Sequence, residues 1–322
     1  MYSARAFQVL RPGESAVVPV ELPEPGPTDV VVRTTQTAIS RGTELLVYRG
    51  RVPESQAAVM RAPFQVGDFP GPVTYGYLAV GVVESGPEGL VGKAVFCLHP
   101  HQTRFVVPAA AVSVVPDDVP PGRAVLAGTV ETAVNALWDG APRVGDRIAV
   151  VGGGMVGCAV AALLAGVPGT RVQLVDVVDR TDVARALGVG FAGPDEALGD
   201  CDLVFHASAT SAGLTRSLEL LGTEGEVIEL SWYGDRPVTV PLGEGFHPGR
   251  LAVRASQVGR VSPARQARWT FADRMALALR LLADDRFEAL VTETVAFEDL
   301  PTTMARLDHG APGLAVRVDY GG

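Results

Sequence analysis

The 322-residue sequence predicts an α/β fold in which a smaller β-rich domain is followed by a doubly wound parallel sheet. Three observations lead to this prediction. Short apolar runs separated by Pro, Gly and Asp fill residues 1–125, strand-like and helix-like segments alternate from residue 147 onwards, and the alternating part opens on a G-x-G-x-x-G motif. Short strands with frequent turn residues are typical of a compact barrel, whereas alternation with helices is typical of a parallel sheet.

The bulk composition excludes several classes of protein. Hydrophobic residues make up 47% and charged residues 20%, which is ordinary for a globular chain. The net charge of −9, without a basic cluster, argues against nucleic acid or an anionic membrane as a partner. There is no charged leader and no apolar run of about 18 residues, so we expect a cytoplasmic protein. Three scattered cysteines show no paired metal spacing and indicate neither disulfides nor a structural zinc loop.

The first predicted domain covers residues 1–125. Its clearest strand candidates are β-branched runs at 16–20, 30–33, 78–83 and 94–98. The sequence Pro120-Pro121-Gly122 marks its end, and a helical stretch over 128–138 then leads to a turn at 142–146.

The second predicted domain, residues 126–285, is organised around the glycine motif. A β-branched run at 147–151 precedes the motif and a helical pattern follows it, which is the context that a dinucleotide-binding turn requires. Gly152 provides the tight turn, Gly154 lets the backbone approach a pyrophosphate, and Gly157 lets helix and strand pack closely. Met155 and Val156 open the helix, whose first amides would face the diphosphate.

An acidic residue completes the signature. Asp176 ends the next strand-like run, 24 positions after Gly152, where about 20 are expected for the residue that binds the adenosine ribose. A carboxylate there accepts hydrogen bonds from ribose hydroxyls and repels a 2′-phosphate, which favours NAD over NADP. Arg180 would admit NADP if it reached the ribose. The alternative interpretation is a buried glycine-rich turn with a surface aspartate on an unrelated α/β fold.

The remaining elements continue the alternation, and the last segment, residues 286–322, is expected to return to the first domain. The predicted elements are a helix over 183–187 that ends at Gly188, strands at 202–206, 225–230 and 251–256, helices at 214–221 and 269–282, a strand at 290–295, a helix at 300–307 and a strand at 314–318.

This arrangement resembles the medium-chain dehydrogenase/reductase superfamily, in particular a branch of zinc-binding-type dehydrogenases related to bacteriochlorophyllide dehydrogenases. The resemblance covers the whole chain and is carried by the stretches 39–44, 75–77, 132–138 and 229–234. It implies a GroES-like catalytic barrel, a Rossmann domain, and NAD-dependent hydride transfer between nicotinamide and a secondary alcohol or ketone of a small polar molecule. It also implies a homodimer, with the segment containing Trp232, Tyr233 and His247 at the interface.

The zinc ligands of the superfamily are replaced in this chain. Ser40 stands in place of a cysteine, Gly76-Tyr77-Leu78 in place of Gly-His-Glu, and a second cysteine is missing near Gly128. Because a catalytic zinc needs three protein ligands and a neutral hydroxyl is a poor one, we predict a zinc-free member. Two histidines with two acids, His99, His101, Glu44 and Glu131, leave a rearranged metal site as the alternative to polar loop histidines with satisfied hydrogen bonds.

The resemblance places seven polar groups around the reacting centre: Ser40, Thr43, Glu44, Tyr77, His99, His101 and Glu131. Glu131 is either a general base whose pKa is raised by desolvation, or a helix-start glutamate paired with an arginine such as Arg41. Tyr77 either donates to a carbonyl oxygen or fills the space that zinc vacates. His99 or His101 would carry the proton to solvent. Arg41 and Arg104 would favour an anionic substrate or form salt bridges.

Further cofactor contacts are expected from residues that follow strands or open the 128–138 helix. They are Thr132 beneath the nicotinamide, Ser208 near the centre of the dinucleotide, and Ser231 and Gln257 at the carboxyl edge of the sheet.

Two other functions are alternatives to the dehydrogenase hypothesis. An NADPH-dependent enoyl reductase would deliver hydride to a conjugated C=C bond, and Asp176 argues against it. A non-catalytic nucleotide-binding scaffold would have lost its polar site, and the retained polar cluster argues against that. The number of polar groups indicates a hydroxylated or carboxylated substrate.

Overall fold

The structure is a computed structural model that describes residues 3–321. The chain divides into two compact units, one formed by residues 1–128 and 291–322 and the other by Thr129–Leu290. Within residues 3–321, no helix is both long and apolar enough to cross a membrane.

The amino-terminal part of the first unit is rich in strands. Its elements are β1 (Ser3–Arg11), β2 (Glu14–Glu21), β3 (Asp29–Ile39), α1 (Arg41–Tyr48), α2 (Ala57–Met60), β4 (Val66–Gly67), β5 (Val73–Thr74), β6 (Ala79–Ser85), β7 (Ala94–Cys97), β8 (Arg104–Pro108), β9 (Val112–Val114) and α3 (Pro121–Ala124). Alternating burial along β1 and nearly complete burial of β3 match strands that have one or both faces covered.

The second unit alternates strands and helices, as the sequence predicts. Its elements are α4 (Ala127–Gly140), which starts at the boundary, β10 (Arg147–Val151), α5 (Met155–Leu164), β11 (Arg171–Val175), α6 (Thr181–Leu187), β12 (Gly190–Ala192), β13 (Cys201–His206), α7 (Ser211–Glu219), β14 (Leu221–Glu229), β15 (Ala252–Ala255) and α8 (Phe271–Leu281). Gly188 ends α6 with φ +79°, a left-handed C-cap, as predicted.

The chain then adds β16 (Val291–Ala296), α9 (Leu300–Asp308) and β17 (Ala315–Asp319) to the first unit. There β17 pairs with β3, which gives a seven-stranded sheet of order β16-β17-β3-β6-β7-β9 with β8 also paired to β3. A four-stranded sheet, β2-β1-β5-β4, completes this unit.

The sheet of the second unit has the order β12-β11-β10-β13-β14-β15, and all its pairs are parallel. Its central strands are buried on both faces, with Ala149, Val204 and Val227 inaccessible to solvent. The predicted α/β class is therefore confirmed. The parallel order brings the carboxyl ends of β10, β11, β13 and β14 to one edge, where the glycine motif follows β10 and polar side chains follow the other three strands.

Candidate active site

The glycine-rich turn of the second unit has the geometry of an anion-binding helix start. Gly152 has φ +112°, and a Cβ there would lie 2.6 Å from the backbone nitrogen of Ser208. A Cβ on Gly157 would overlap the carbonyl oxygen of Gly152, so this position must be glycine for α5 to pack on β10. A Cβ on Gly154, the N-cap of α5, would meet no protein atom within 4 Å. The space over Gly154 is therefore open to a ligand at the amides that open α5.

Asp176 lies beside this turn. Its Oδ2 accepts from the backbone N–H of Gly153 at 2.5 Å and its Oδ1 accepts from that of Val178 at 2.8 Å. Arg180 lies on the same side, since a Cβ on Gly153 would be 3.0 Å from its Cγ and 3.2 Å from Asp176 Oδ2. The Arg180 Nε is buried and has no hydrogen-bond partner among residues 3–321. A carboxylate and a guanidinium thus both flank the place where the motif positions an adenosine ribose.

The other predicted cofactor residues lie on the second unit as follows. Met155 and Val156 form the first turn of α5, Thr132 lies in α4, and Gln257 follows β15. Ser231 follows β14, and its Oγ accepts from the N–H of Ala209 at 3.0 Å.

A buried histidine that our sequence analysis did not single out joins Ser208 to Ser231. His206, fully buried at the end of β13, has its Nε2 2.7 Å from Ser208 Oγ and its Nδ1 2.8 Å from Glu229 Oε2. Glu229 also accepts from the N–H of Ser231 at 2.7 Å and from the hydroxyl of Tyr233 at 2.9 Å. The only sequence signal was that His206 ends a predicted strand and Glu229 is the last but one residue of the next, and the parallel register places the two residues directly opposite each other.

In the first unit, Ser40 and Tyr77 form a hydroxyl pair. The Tyr77 hydroxyl donates to Ser40 Oγ at 2.6 Å. Burial raises the pKa of Tyr77 to about 12, and hydrogen bonds with Ser40 and Thr43 only partly offset this effect. Tyr77 is therefore a protonated hydrogen-bond donor at neutral pH. The side chains of Ser40, Thr43 and Tyr77 are therefore neighbours in the structure.

A second buried chain of polar groups supports that pair. Glu44 Oε1 accepts from the N–H of Ser40 at 2.7 Å, and Glu44 Oε2 lies 2.9 Å from His101 Nε2. His101 Nδ1 lies 2.6 Å from Thr37 Oγ1, which is 3.3 Å from the Tyr320 hydroxyl. Glu44 and His101 are 3% and 1% exposed, so this pair fixes the start of α1 from within the core.

His99 is in a different environment from the one our sequence analysis expected. Its ring is stacked between Phe105, at 4.0 Å between centroids, and Phe64, at 5.6 Å. Its Nδ1 is 3.0 Å from the Pro100 carbonyl oxygen, and burial lowers its pKa to about 4. A ring that is neutral and packed between aromatic rings is poorly suited to carry a proton to solvent.

Glu131 has a partner that the sequence did not predict, whereas Arg104 forms a salt bridge, which is one of its two expected roles. Glu131 Oε1 accepts from Arg274 Nε at 3.0 Å, and both side chains are buried. Burial raises the pKa of Glu131 while Arg274 opposes the rise. The expected partner Arg41 instead donates to the Gly313 carbonyl at 3.4 Å. Arg104 forms a bidentate salt bridge with Glu84.

Metal-ligating side chains do not gather anywhere in the described chain. Over residues 3–321, no group of three or more His, Cys, Asp or Glu side chains is arranged to hold a metal ion. The alternative of a rearranged site formed by His99, His101, Glu44 and Glu131 therefore has no geometric support.

Sequence comparisons identify dehydrogenases as homologues, while no family model matches the chain. It is 27% identical over 221 residues to L-threonine 3-dehydrogenase of Deinococcus radiodurans, covering 58% of this chain and 60% of that enzyme. It is 37% identical over 81 residues to 2-desacetyl-2-hydroxyethyl bacteriochlorophyllide A dehydrogenase of Cereibacter sphaeroides, covering 24% of this chain and 21% of that enzyme. The matched segments thus span less than two thirds of each relative.

Structural comparisons cover nearly the whole chain. L-idonate 5-dehydrogenase of Escherichia coli matches with a TM-score of 0.81 and 14% identity over 99% of both chains. An alcohol dehydrogenase of Escherichia coli CFT073 complexed with NADH matches with a TM-score of 0.78 and 17% identity, over 99% of this chain and 100% of the other. A Sinorhizobium meliloti protein described as a zinc-binding dehydrogenase and bound to NADP gives 0.80 and 16%, over the same shares. The fold is that of these dehydrogenases, and the predicted resemblance is confirmed.

Proposed function

We propose that this chain is an NAD(H)-dependent oxidoreductase that transfers hydride between nicotinamide and a secondary alcohol or ketone of a small polar molecule, without a catalytic zinc. The observation that carries the proposal is the turn at residues 152–157 of the parallel sheet. Gly157 lets α5 pack closely on β10, and no protein atom occupies the space above Gly154. The first amides of α5 therefore face free space beside Asp176. That combination suits a diphosphate and an adjoining ribose.

NAD rather than NADP is the proposed cofactor because of the carboxylate at Asp176. Its two oxygens already accept backbone N–H groups, which holds the side chain at the strand end. A 2′-phosphate would meet this negative charge at close range, whereas ribose hydroxyls would donate to it. Arg180 is the group that would favour NADP instead, and the aliphatic part of its side chain lies next to Gly153.

The donor set at the reacting centre does not fit a catalytic zinc. The side chains that the resemblance aligns with zinc ligands are two hydroxyls, Ser40 and Tyr77, and they hydrogen-bond to each other. Zinc in proteins is held by thiolate, imidazole and carboxylate groups. No step of the proposed mechanism therefore uses a metal.

Proton handling is assigned to the hydroxyl pair. Bound NAD(H) supplies or accepts the hydride. Because the Tyr77 hydroxyl donates to Ser40 Oγ, the proton of Ser40 is left to point at the oxygen of a ketone substrate. As the carbonyl carbon receives hydride, the alkoxide oxygen takes a proton from Ser40, Ser40 takes one from Tyr77, and solvent water restores the proton of Tyr77, whose side chain is only partly buried. Oxidation of an alcohol reverses these transfers.

We also propose that the protein is a homodimer located in the cytoplasm. The resemblance assigns the interface to the segment between β14 and β15. That segment carries Leu242, which is 54% exposed. A single exposed leucine is ordinary on a protein surface, so the homodimer is proposed on the resemblance alone.

The direct test is to incubate the purified protein with NADH or NADPH and panels of ketones and enones, and to follow the nicotinamide absorbance. We expect NADH oxidation with a ketone, unchanged after treatment with a chelator. Turnover of enones with NADPH would identify an enoyl reductase instead. Binding without turnover of any substrate would favour the scaffold hypothesis, and activity lost together with stoichiometric zinc would contradict the zinc-free mechanism.

A further inference from the structure

Three neighbouring side chains at the carboxyl edge of the parallel sheet form a continuous chain of hydrogen bonds. Glu229 Oε2 lies 2.8 Å from His206 Nδ1, and His206 Nε2 lies 2.7 Å from Ser208 Oγ. His206 is completely buried, while Ser208 remains partly exposed. The mechanism above uses none of these three groups to move a proton.

The position of Ser208 places this hydrogen-bonded group of side chains beside the nicotinamide half of the dinucleotide. In the sheet order, β11 lies on one side of β10 and β13 on the other. Asp176 at the end of β11 marks the adenosine side, and a dinucleotide crosses the end of β10. Ser208 follows β13 and its backbone abuts Gly152, so it faces the opposite half of the cofactor.

The buried carboxylate determines which nitrogen of His206 carries a proton. Although burial opposes ionisation, hydrogen bonds from His206 and Ser231 hold the pKa of Glu229 below its usual value. An ionised carboxylate can only accept, so Nδ1 is the protonated nitrogen. When the His206 ring is neutral, Nε2 is then an acceptor, and the Ser208 hydroxyl donates its single proton to it.

The direction of that hydrogen bond restricts Ser208 to accepting a hydrogen bond from a ligand. The neighbouring Thr210 Oγ1 accepts from the N–H of Gly213 at 3.0 Å and lies 3.0 Å from Ser208 Oγ, so Thr210 has a proton to donate to Ser208. With its own proton engaged by His206, Ser208 can offer a ligand only a lone pair. It selects a hydrogen-bond donor and disfavours a phosphate oxygen.

We propose that Glu229 and His206 are positioning residues that fix Ser208 as an acceptor for a hydroxyl of the nicotinamide ribose. The inference rests on the proposed cofactor, and to the cofactor contact expected of Ser208 it adds the ligand group that is contacted and the direction of the hydrogen bond. Glu229 and His206 act by orienting the Ser208 hydroxyl. A hydroxyl whose proton has no fixed acceptor would rotate and serve as either donor or acceptor.

The test measures coupling between Ser208 and that ribose hydroxyl. Affinity for NADH is compared with affinity for an analogue whose nicotinamide ribose lacks both hydroxyls, in the parent and in Ser208→Ala. Because a neutral hydrogen bond contributes about 0.5–1.5 kcal/mol, we expect the parent to discriminate about 3- to 10-fold more strongly than the variant. Equal discrimination by the two proteins would overturn the inference.

Two more variants separate positioning from general damage. Ser211→Ala, the next serine along the chain, is the matched control, and its Oγ engages only the N–H of Thr239 in the hydrogen bonds described. It should discriminate like the parent. Glu229→Gln no longer enforces the His206 tautomer, so it should lose part of the discrimination while Ser208 is still present. Parent protein that binds neither NADH nor NADPH would instead overturn the proposed function, and this inference with it.

Discussion

Tyr77 is the side chain on which the proposed proton transfer depends most directly. Changing it to Phe keeps the edge-to-face contact with Tyr75, at 6.0 Å between centroids, and removes the hydroxyl that orients Ser40. We expect kcat to fall about 100-fold or more while the Kd for NADH is unchanged, as measured by steady-state kinetics and fluorescence titration. Tyr75→Phe is the matched control, because within residues 3–321 that hydroxyl donates only to the Met60 carbonyl. Full activity of Tyr77→Phe would contradict the mechanism.

His99 makes stability sensitive to acid. Its pKa is lowered to about 4 by burial, from an unfolded value of about 6.5. Below pH 6.5 the unfolded chain binds a proton at this ring and the native protein does not, so the free energy of unfolding falls as the pH falls towards 4. Once the pH has fallen to about 4, the loss in the free energy of unfolding due to His99 is roughly 3 kcal/mol.

This expectation is checked by denaturant unfolding of the parent and of His99→Phe at pH 7 and pH 5. A phenyl ring preserves stacking on Phe105 and cannot titrate. The parent should lose more stability between the two pH values than the variant does. Equal losses would mean that His99 does not carry the effect.

Glu131 shows why a buried carboxylate is not by itself a general base. Its partner Arg274 is 1% exposed and also donates to Asn135 and to the Val258 carbonyl. Glu131→Gln leaves this guanidinium charge buried and without its counter-ion, so we expect the free energy of unfolding to fall by about 3 kcal/mol. Activity per folded molecule should change little. The earlier hypothesis of a catalytic base predicts the opposite, with kcat lost and stability kept.

The double variant Glu131→Gln/Arg274→Met separates the two explanations. Removing both charges eliminates the unpaired cation, so we expect part of the lost stability to return. Unfolding free energies and kcat are measured on the same preparations. A double variant that is stable but inactive would restore Glu131 to the mechanism.

At the scale of elements, the junction of β10 and α5 distinguishes glycines that the fold needs from a glycine that a ligand needs. Gly157→Ala places a methyl group on the Gly152 carbonyl and should destabilise the second unit by several kcal/mol. Gly154 has φ −81° and ψ −174°, which alanine adopts readily, and its added methyl meets no protein atom. Gly154→Ala should therefore keep its melting temperature and bind NADH at least 10-fold more weakly. Unimpaired binding would show that no ligand approaches there.

The elements that were predicted from the sequence are those whose pattern is local. Apolar runs such as 147–151 and the C-cap at Gly188 signal strand and helix end without reference to the rest of the chain. The strand β1 was not predicted, because its sequence mixes Ser, Ala and Arg with the apolar residues. It is a strand because β2 and β5 pair with it on either side.

For the molecule as a whole, the limit of sequence reasoning lies in contacts between distant segments. The glycine turn and Asp176 follow from spacing, and the resemblance supplied Ser40, Tyr77 and His101. The ion pair of Glu131 joins residues 143 positions apart, and the triad of Ser208 depends on the parallel register of β13 and β14. Neither interaction can be recognised from the residues next to it in the sequence. Only the folded structure shows which polar residues are partners.

Cofactor choice is a property of the whole molecule that thermal unfolding reports. A ligand at 100 times its Kd stabilises the native state by about 2.7 kcal/mol, which corresponds to a rise of roughly 5–10 °C in melting temperature. We expect NADH to produce a rise of this order and NADPH at equal concentration a smaller one, because the Asp176 carboxylate repels the 2′-phosphate. Asp176→Asn is the informative variant, since an amide oxygen still accepts from the Gly153 N–H without the charge. It should narrow the difference between the two shifts, with a small fall in the ligand-free melting temperature because the Asn Nδ2 cannot accept from the Val178 N–H. A larger shift with NADPH in the parent would instead assign the ribose site to Arg180, whose stem lies beside the same glycine.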